Sequence, residues 1–246
     1  MHTTADLRRE AVARTFFPQT DLSSAIARLG FVQADPSLEK PRALTPQRRA
    51  DGLIHLLVSI YAPLPKSSLS QLVGMLGDRA LPRVGLNDRI ASLLRKGALR
   101  TGVVDGVTYV WDGDREARDA RQARPDGPEP TVRFLAPFDP LVWDRRRFGY
   151  LWNWDYRFEA YTPPQKRRLG YYALPMLWEA DGDAQVIGWV NVSTRMPVRP
   201  SSRAGAQARR VAVEPGYVGK RPRTAAFRHA MDAEVERLER FLVGAD

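Results

Sequence analysis

Leu99-Arg100-Thr101-Gly102-Val103-Val104-Asp105-Gly106-Val107-Thr108-Tyr109-Val110-Trp111 is the stretch on which the fold of the first half turns. Its β-branched runs predict strands over residues 99–104 and 107–111. Asp105-Gly106 between them suits a two-residue hairpin turn, whose central residues both need left-handed backbone. Just upstream, Gly97 closes a helix expected over residues 86–96, with Ile90, Leu93 and Leu94 apolar and Arg89, Arg95 and Lys96 charged. Before that, Ser67 or Ser68 can cap a helix carrying Leu69, Leu72, Val73 and Leu76. Pro63 and Pro65 separate it from a helix over residues 46–61, which places Leu53, Leu56, Leu57 and Ile60 on one face.

Three helices followed by a hairpin is the winged-helix order, in which the third helix enters the major groove. Arg89, Arg95 and Lys96 on that helix, with Arg100 at the start of the hairpin, are then candidate DNA contacts. The alternative for this module is that it only makes protein contacts.

Outward from there the chain divides into further parts. Residues 1–45 read as an N-terminal helical segment: Leu7, Val12, Phe16 and Phe17 in a first helix, a break at Pro18, and a second helix over 22–29 ended by Gly30. A short extended piece, Phe31-Val32-Gln33-Ala34-Asp35-Pro36, follows, and Pro36, Pro41 and Pro46 mark a connector. Residues 113–130 are charged, contain Pro125, Pro128 and Pro130, and read as a linker. Residues 131–246 read as a small antiparallel β-barrel-like domain with a C-terminal helix. Its strands are expected at 132–135, 156–161, 171–178, 186–193 and 211–213, and its helices at 142–151 and 223–242. The class is α+β: a winged-helix module at 46–112, then the β domain.

Composition narrows the function. A net charge of +10 and a pI near 10.3 favour a polyanionic partner, nucleic acid before membrane surface. There is no cysteine, which excludes disulfides, thiolate zinc sites and cysteine nucleophiles. The three histidines, His2, His55 and His229, are far apart, so no metal site is expected. No apolar run is long enough to span a membrane, and Met1 to Glu10 lacks the apolar core of a signal peptide. The expectation is a cytoplasmic, nucleoid-associated monomer.

Three stretches resemble the YcaQ/AlkZ-type winged-helix DNA glycosylases. The first is Leu29-Gly30-Phe31-Val32-Gln33-Ala34-Asp35-Pro36. The second is Leu135-Ala136-Pro137-Phe138-Asp139-Pro140-Leu141-Val142-Trp143-Asp144-Arg145-Arg146-Arg147. The third runs from Asp155-Tyr156-Arg157-Phe158-Glu159-Ala160-Tyr161-Thr162-Pro163 to Lys166-Arg167-Arg168-Leu169-Gly170-Tyr171-Tyr172-Ala173-Leu174-Pro175. The resemblance implies tandem winged helices with a small β-barrel around duplex DNA, excision of N7- or N3-alkylated purines, and unhooking of interstrand crosslinks. It also implies a Gln-x-Asp catalytic signature, here Gln33 and Asp35. In the family a long helical region follows that signature. Here only the span from Pro36 to Pro46 does, so the chain resembles a shortened member.

The chemistry suits those residue types. Alkylation at N7 makes the base cationic and a good leaving group, and breaking its bond to C1′ leaves an oxocarbenium-like sugar, as in glycoside hydrolysis. A carboxylate such as Asp35 can stabilise that cation and polarise the attacking water, and the Gln33 amide can hold the same water. In an extended segment residues i and i+2 face one side, which turns Ala34 away. The expected enzyme is a monofunctional N-glycosylase that needs no metal or organic cofactor. Alone, the three-residue pattern fits equally a loop contact by Gln33 and a turn capped by Asp35.

Arg145, Arg146 and Arg147, then Lys166, Arg167 and Arg168, are dense cationic runs, and Lys220 and Arg221 lie in a third basic stretch. All are candidate phosphate contacts. Some can instead pair with Asp139, Asp144, Asp155 or Glu159 to brace the β domain, Arg145–Arg147 above all. Trp143, Trp152, Trp154, Trp178 and Trp189 read as core rather than stacking platforms. Two further readings stand beside the glycosylase: a non-catalytic winged-helix DNA-binding protein on the same scaffold, and a winged-helix transcription regulator.

Overall fold

The computed structural model describes residues 3–16, 44–80, 84–113, 129–194 and 211–243. The helix expected at 22–29, the segment with Gln33 and Asp35, and most of the linker at 113–130 lie outside the described residues. The chain forms two compact units, Met1–Arg124 and Pro125–Asp246. The described residues hold six α-helices and two antiparallel sheets.

The first unit starts with α1 (Thr4–Phe16), whose Leu7, Ala11 and Val12 are buried. α2 (Pro46–Tyr61) begins as its residues dictate: the Thr45 hydroxyl accepts from the Arg48 amide at 3.3 Å, and Pro46 occupies the first turn, where no amide is needed. Its Leu53, Ile54, Leu57 and Val58 are buried. α3 (Lys66–Ala80) buries Leu69, Leu72 and Val73, and α4 (Leu86–Arg95) buries Leu86, Ile90 and Leu93. α3 starts at Lys66, one residue before the first expected cap, and Ser68 is buried.

β2 (Leu99–Val104) and β3 (Val107–Asp112) form the hairpin, turning at Asp105 (φ 49°) and Gly106 (φ 78°). A strand the sequence did not suggest, β1 (Leu64–Pro65), adds to it in the order β1-β3-β2. Leu64 is fully buried opposite Val110, so the proline-flanked connector is an edge strand, the place in a sheet where a missing amide is tolerated. The hairpin is tied down twice: Thr4 Oγ1 donates to the Asp105 carboxylate at its tip, and His55 Nδ1 lies 3.3 Å from Asp112 Oδ1 at its base.

The second unit is built on the sheet β4-β5-β6-β7: β4 (Thr131–Phe134), β5 (Leu174–Ala180), β6 (Asp183–Thr194) and β7 (Val211–Tyr217), antiparallel throughout. Among the described residues it is an open sheet, not the expected small barrel. The strand expected at 156–161 is absent. Tyr156 is buried, its hydroxyl donates to the Ala173 carbonyl at 2.7 Å, and the segment fixes itself by side chains instead of a ladder. Without it only four described strands remain, too few for a closed barrel. Expected β-structure at Tyr171 and Tyr172 is a turn, and β7 runs through Pro215 to Tyr217, longer than foreseen.

α6 (Ala225–Val243) covers one side of the sheet, with Phe227 and Ala230 packed on Val132 and Met176. Glu234 is 4% exposed; it accepts from the Phe134 amide at 2.8 Å and pairs with Arg237. Glu239 accepts from the Val211 amide at 3.2 Å, so one helix grips both outer strands. α5 (Arg145–Trp152) anchors an aromatic cluster in which Phe148 contacts Trp152, Trp154 and Tyr156, and Trp154 stacks on Trp189 at 6.2 Å. Trp152 is buried and donates to the Ala184 carbonyl, as core tryptophans do.

Candidate nucleic-acid interface

In the first unit the cations of α4 separate by role. Arg89 grips the Asp51 carboxylate through Nε (2.8 Å) and a second, shorter bond from Nη2. That bond first, and the Asp51 charge after it, hold the guanidinium above its ordinary pKa against some desolvation. Arg95 and Lys96 are exposed where α4 ends, and Arg100 is exposed on β2.

In the second unit, Asp144 caps α5: its Oδ1 accepts from the Arg146 and Arg147 amides, both at 3.1 Å. That cap turns the three successive arginines in different directions. Arg147 is 1% exposed and donates to the Pro140 carbonyl at 2.9 Å. Arg145 donates to the carbonyls of Val142 and Pro137, the latter at 2.9 Å, and lies 4.6 Å from the centre of the Tyr156 ring. Burial lowers the pKa of Arg145 and pushes that of Tyr156 up to about 12. Burial likewise raises Asp139, though the Leu141 amide and the Arg147 charge pull the other way. Arg146 alone of the three is exposed.

The third family-like stretch folds around a buried carboxylate. Glu159 is 3% exposed, and its Oε2 accepts from the amides of Arg168 (2.8 Å), Leu169 (2.8 Å) and Gly170 (3.4 Å). Desolvation pushes its pKa up, but the Leu169, Arg168 and Gly170 amides and the Arg157 charge outweigh that and leave it below the ordinary value. The Leu169 carbonyl in turn accepts from Trp189 Nε1 at 2.9 Å and Asn191 Nδ2 at 2.7 Å, both on β6. Gly170 sits at φ 131°, where a Cβ would lie 2.2 Å from Asn191 Oδ1, so glycine is required. Lys166 and Arg168 are exposed on this loop, while Arg167 donates from Nε to the Thr162 carbonyl at 2.8 Å and stacks on Tyr171. Lys220 and Arg221 are exposed and line one depression with Arg223.

Sequence reasoning read Glu159 only as a partner for an arginine; that its acceptors would be spent on backbone amides has no signal in composition or spacing. Among the described residues no cluster of His, Cys, Asp or Glu could hold a metal ion, and no helix is long and apolar enough to cross a membrane.

A helix-and-hairpin unit joined to an antiparallel-sheet unit, with exposed cations on both and a net charge of +10, defines a basic protein suited to nucleic acid. The family model for DNA glycosylase AlkZ-like proteins matches residues 4–241, and the chain belongs to that AlkZ-like DNA glycosylase family. No solved structure matches it.

Proposed function

We propose that this chain is a monofunctional DNA glycosylase that releases N7- or N3-alkylated purines, or unhooks interstrand crosslinks, from duplex DNA. The observation that carries the reading is the family match over residues 4–241, a span that includes Gln33 and Asp35. In this reading α2 to α4 with the hairpin act as a winged helix. Arg95, Lys96, Arg100, Arg146, Lys166, Arg168, Lys220 and Arg221 contact phosphates. Arg89, Arg145, Arg147 and Arg167, each with donors engaged within its own unit, brace the elements of that unit.

The chemical step is hydrolysis. The C1′–N bond breaks, its electron pair leaves with the cationic base, and the base departs neutral. Water adds hydroxide to C1′ and gives its proton to Asp35, while the Gln33 amide orients that water. The test is abasic-site formation on N7-alkylated duplex. Asp35→Asn removes most base release and leaves DNA affinity nearly intact, because the carboxylate acts on charge that develops only in the transition state. Gln33→Ala weakens catalysis less, having no charge to remove. A well-folded, DNA-binding parent that releases no base would instead establish a non-catalytic DNA-binding protein on this scaffold.

A further inference from the structure

The loop that follows Glu159 presents an aromatic surface for which the glycosylase reading has no use. Tyr161 is 91% exposed, Phe138 69%, Tyr171 61% and Tyr172 45%. These rings are not scattered. Phe158 is the hub, meeting Phe138 at 5.8 Å, Tyr161 at 6.2 Å and Tyr172 at 5.2 Å, each edge to face. Tyr171, next to Tyr172 in sequence, has the Arg167 guanidinium 4.8 Å from its ring centre. Soluble proteins seldom leave so many large rings in water without a partner for them.

Two observations say what the partner is. The first is charge: residues 160–172 contain Lys166, Arg167 and Arg168 and no acid, so Tyr161, Tyr171 and Tyr172 are interleaved with cations, and the Glu159 carboxylate beside Phe158 is buried. The second is rigidity. Glu159 clamps the loop from below, Trp189 and Asn191 hold the Leu169 carbonyl, and Thr162 fixes the Arg167 side chain. Flat rings held in place beside cations are the arrangement that stacks nucleobases while the cations follow the phosphates. A duplex hides the faces of its internal bases, so only unpaired ones reach such rings.

We propose that the surface formed by Phe138, Phe158, Tyr161 and Tyr172, flanked by Lys166 and Arg168, binds unpaired nucleotides of single-stranded DNA by base stacking. The site belongs to the second unit and does not depend on Gln33 or Asp35, so it stands whether or not the chain is an active glycosylase.

The experiment is fluorescence anisotropy of the full chain with a short labelled oligothymidylate and, in parallel, a blunt duplex. Tyr161→Ala and Tyr172→Ala each weaken oligothymidylate binding by roughly 5- to 150-fold, the range alanine substitution gives at stacked bases. Duplex affinity changes by less than about twofold, since phosphate contacts are untouched. Tyr161→Phe, which keeps the ring, binds as the parent does. Circular dichroism of each variant establishes that the fold is kept, which the high exposure of Tyr161 favours. The proposal is overturned if the parent does not bind oligothymidylate, or if both alanine variants bind it as the parent does. It is also overturned if duplex and single-stranded affinity fall in equal proportion, or if sedimentation shows these rings joining two copies of the chain.

Discussion

Replacing Glu159 with alanine is the sharpest test of how the second unit holds its basic loop. The carboxylate accepts from the Arg168 and Leu169 amides at 2.8 Å each and, more weakly, from Gly170 at 3.4 Å. A hydrogen bond to a charged group contributes about 1.5–3 kcal/mol. Taking the low end for the two short bonds and little for the third, Glu159→Ala loses about 3 kcal/mol. With a urea slope of about 1.5 kcal/mol per molar, the unfolding midpoint falls by about 2 M. Tryptophan fluorescence reads it, because Trp189 donates to the Leu169 carbonyl of the same loop. The dependence on pH has a definite sign. The folded carboxyl titrates below its ordinary 4.5, so its stabilisation is complete at neutral pH and disappears as pH falls from 4.5 through the folded value. Glu159→Gln, which keeps an acceptor oxygen but no charge, loses about half as much by the same reckoning, and its stability varies less over that acid range. A loss under about 0.5 kcal/mol for Glu159→Ala at pH 7 refutes the clamp, since that is the range of ordinary surface changes. An equal loss at pH 7 and pH 3 refutes the charge.

Other consequences are open to measurement. Asp144→Ala removes the cap of α5 and lowers stability by about 1 kcal/mol, seen as a lower calorimetric midpoint; no change would mean the cap is idle. Phe227→Ala, at the fully buried contact between α6 and the sheet, costs about 3–5 kcal/mol by denaturant titration. Lys96→Ala leaves stability unchanged and reduces the slope of log affinity for duplex DNA against log salt by about 1, as loss of one phosphate contact does. Arg89→Ala does the reverse, lowering the melting temperature through the loss of Asp51 and leaving that slope alone.

Much of the first unit was legible because its signals are local. The limits of α2, the turn at Asp105-Gly106 and the apolar stripe of α4 follow from spacing and turn chemistry within a few residues. β1 was not, because Leu64 is a strand only by virtue of Val110, far along the chain, and its flanking prolines argue for a break. In the second unit residues 156–161 look like a strand by composition. What keeps them irregular is the pull of Ala173 on the Tyr156 hydroxyl and of three amides on Glu159, contacts with no periodic trace. Of the candidate contacts, charge was readable but direction was not. Arg145, Arg146 and Arg147 are identical in sequence, and only the helix begun by Asp144 decides that one is buried, one half-buried and one exposed. The exposed rings of Phe138, Tyr161 and Tyr172 lie within the quoted motifs, but composition gives no sign of which way a ring faces, and the strands expected at 156–161 and 171–178 left that open.

The grip of α6 on both outer strands has a meaning for how this unit avoids its own kind. Among the described residues β4 and β7 each have a single paired neighbour in the sheet, and such borders recruit strands from other molecules. Glu234 occupies the Phe134 amide on one border and Glu239 the Val211 amide on the other, while Phe227 and Ala230 shield the apolar face between them. The helix is therefore a guard against aggregation as well as a packing element. A nascent chain that has emerged only as far as β7 has neither carboxylate in place, and for that interval its sheet is open to intermolecular pairing at both borders.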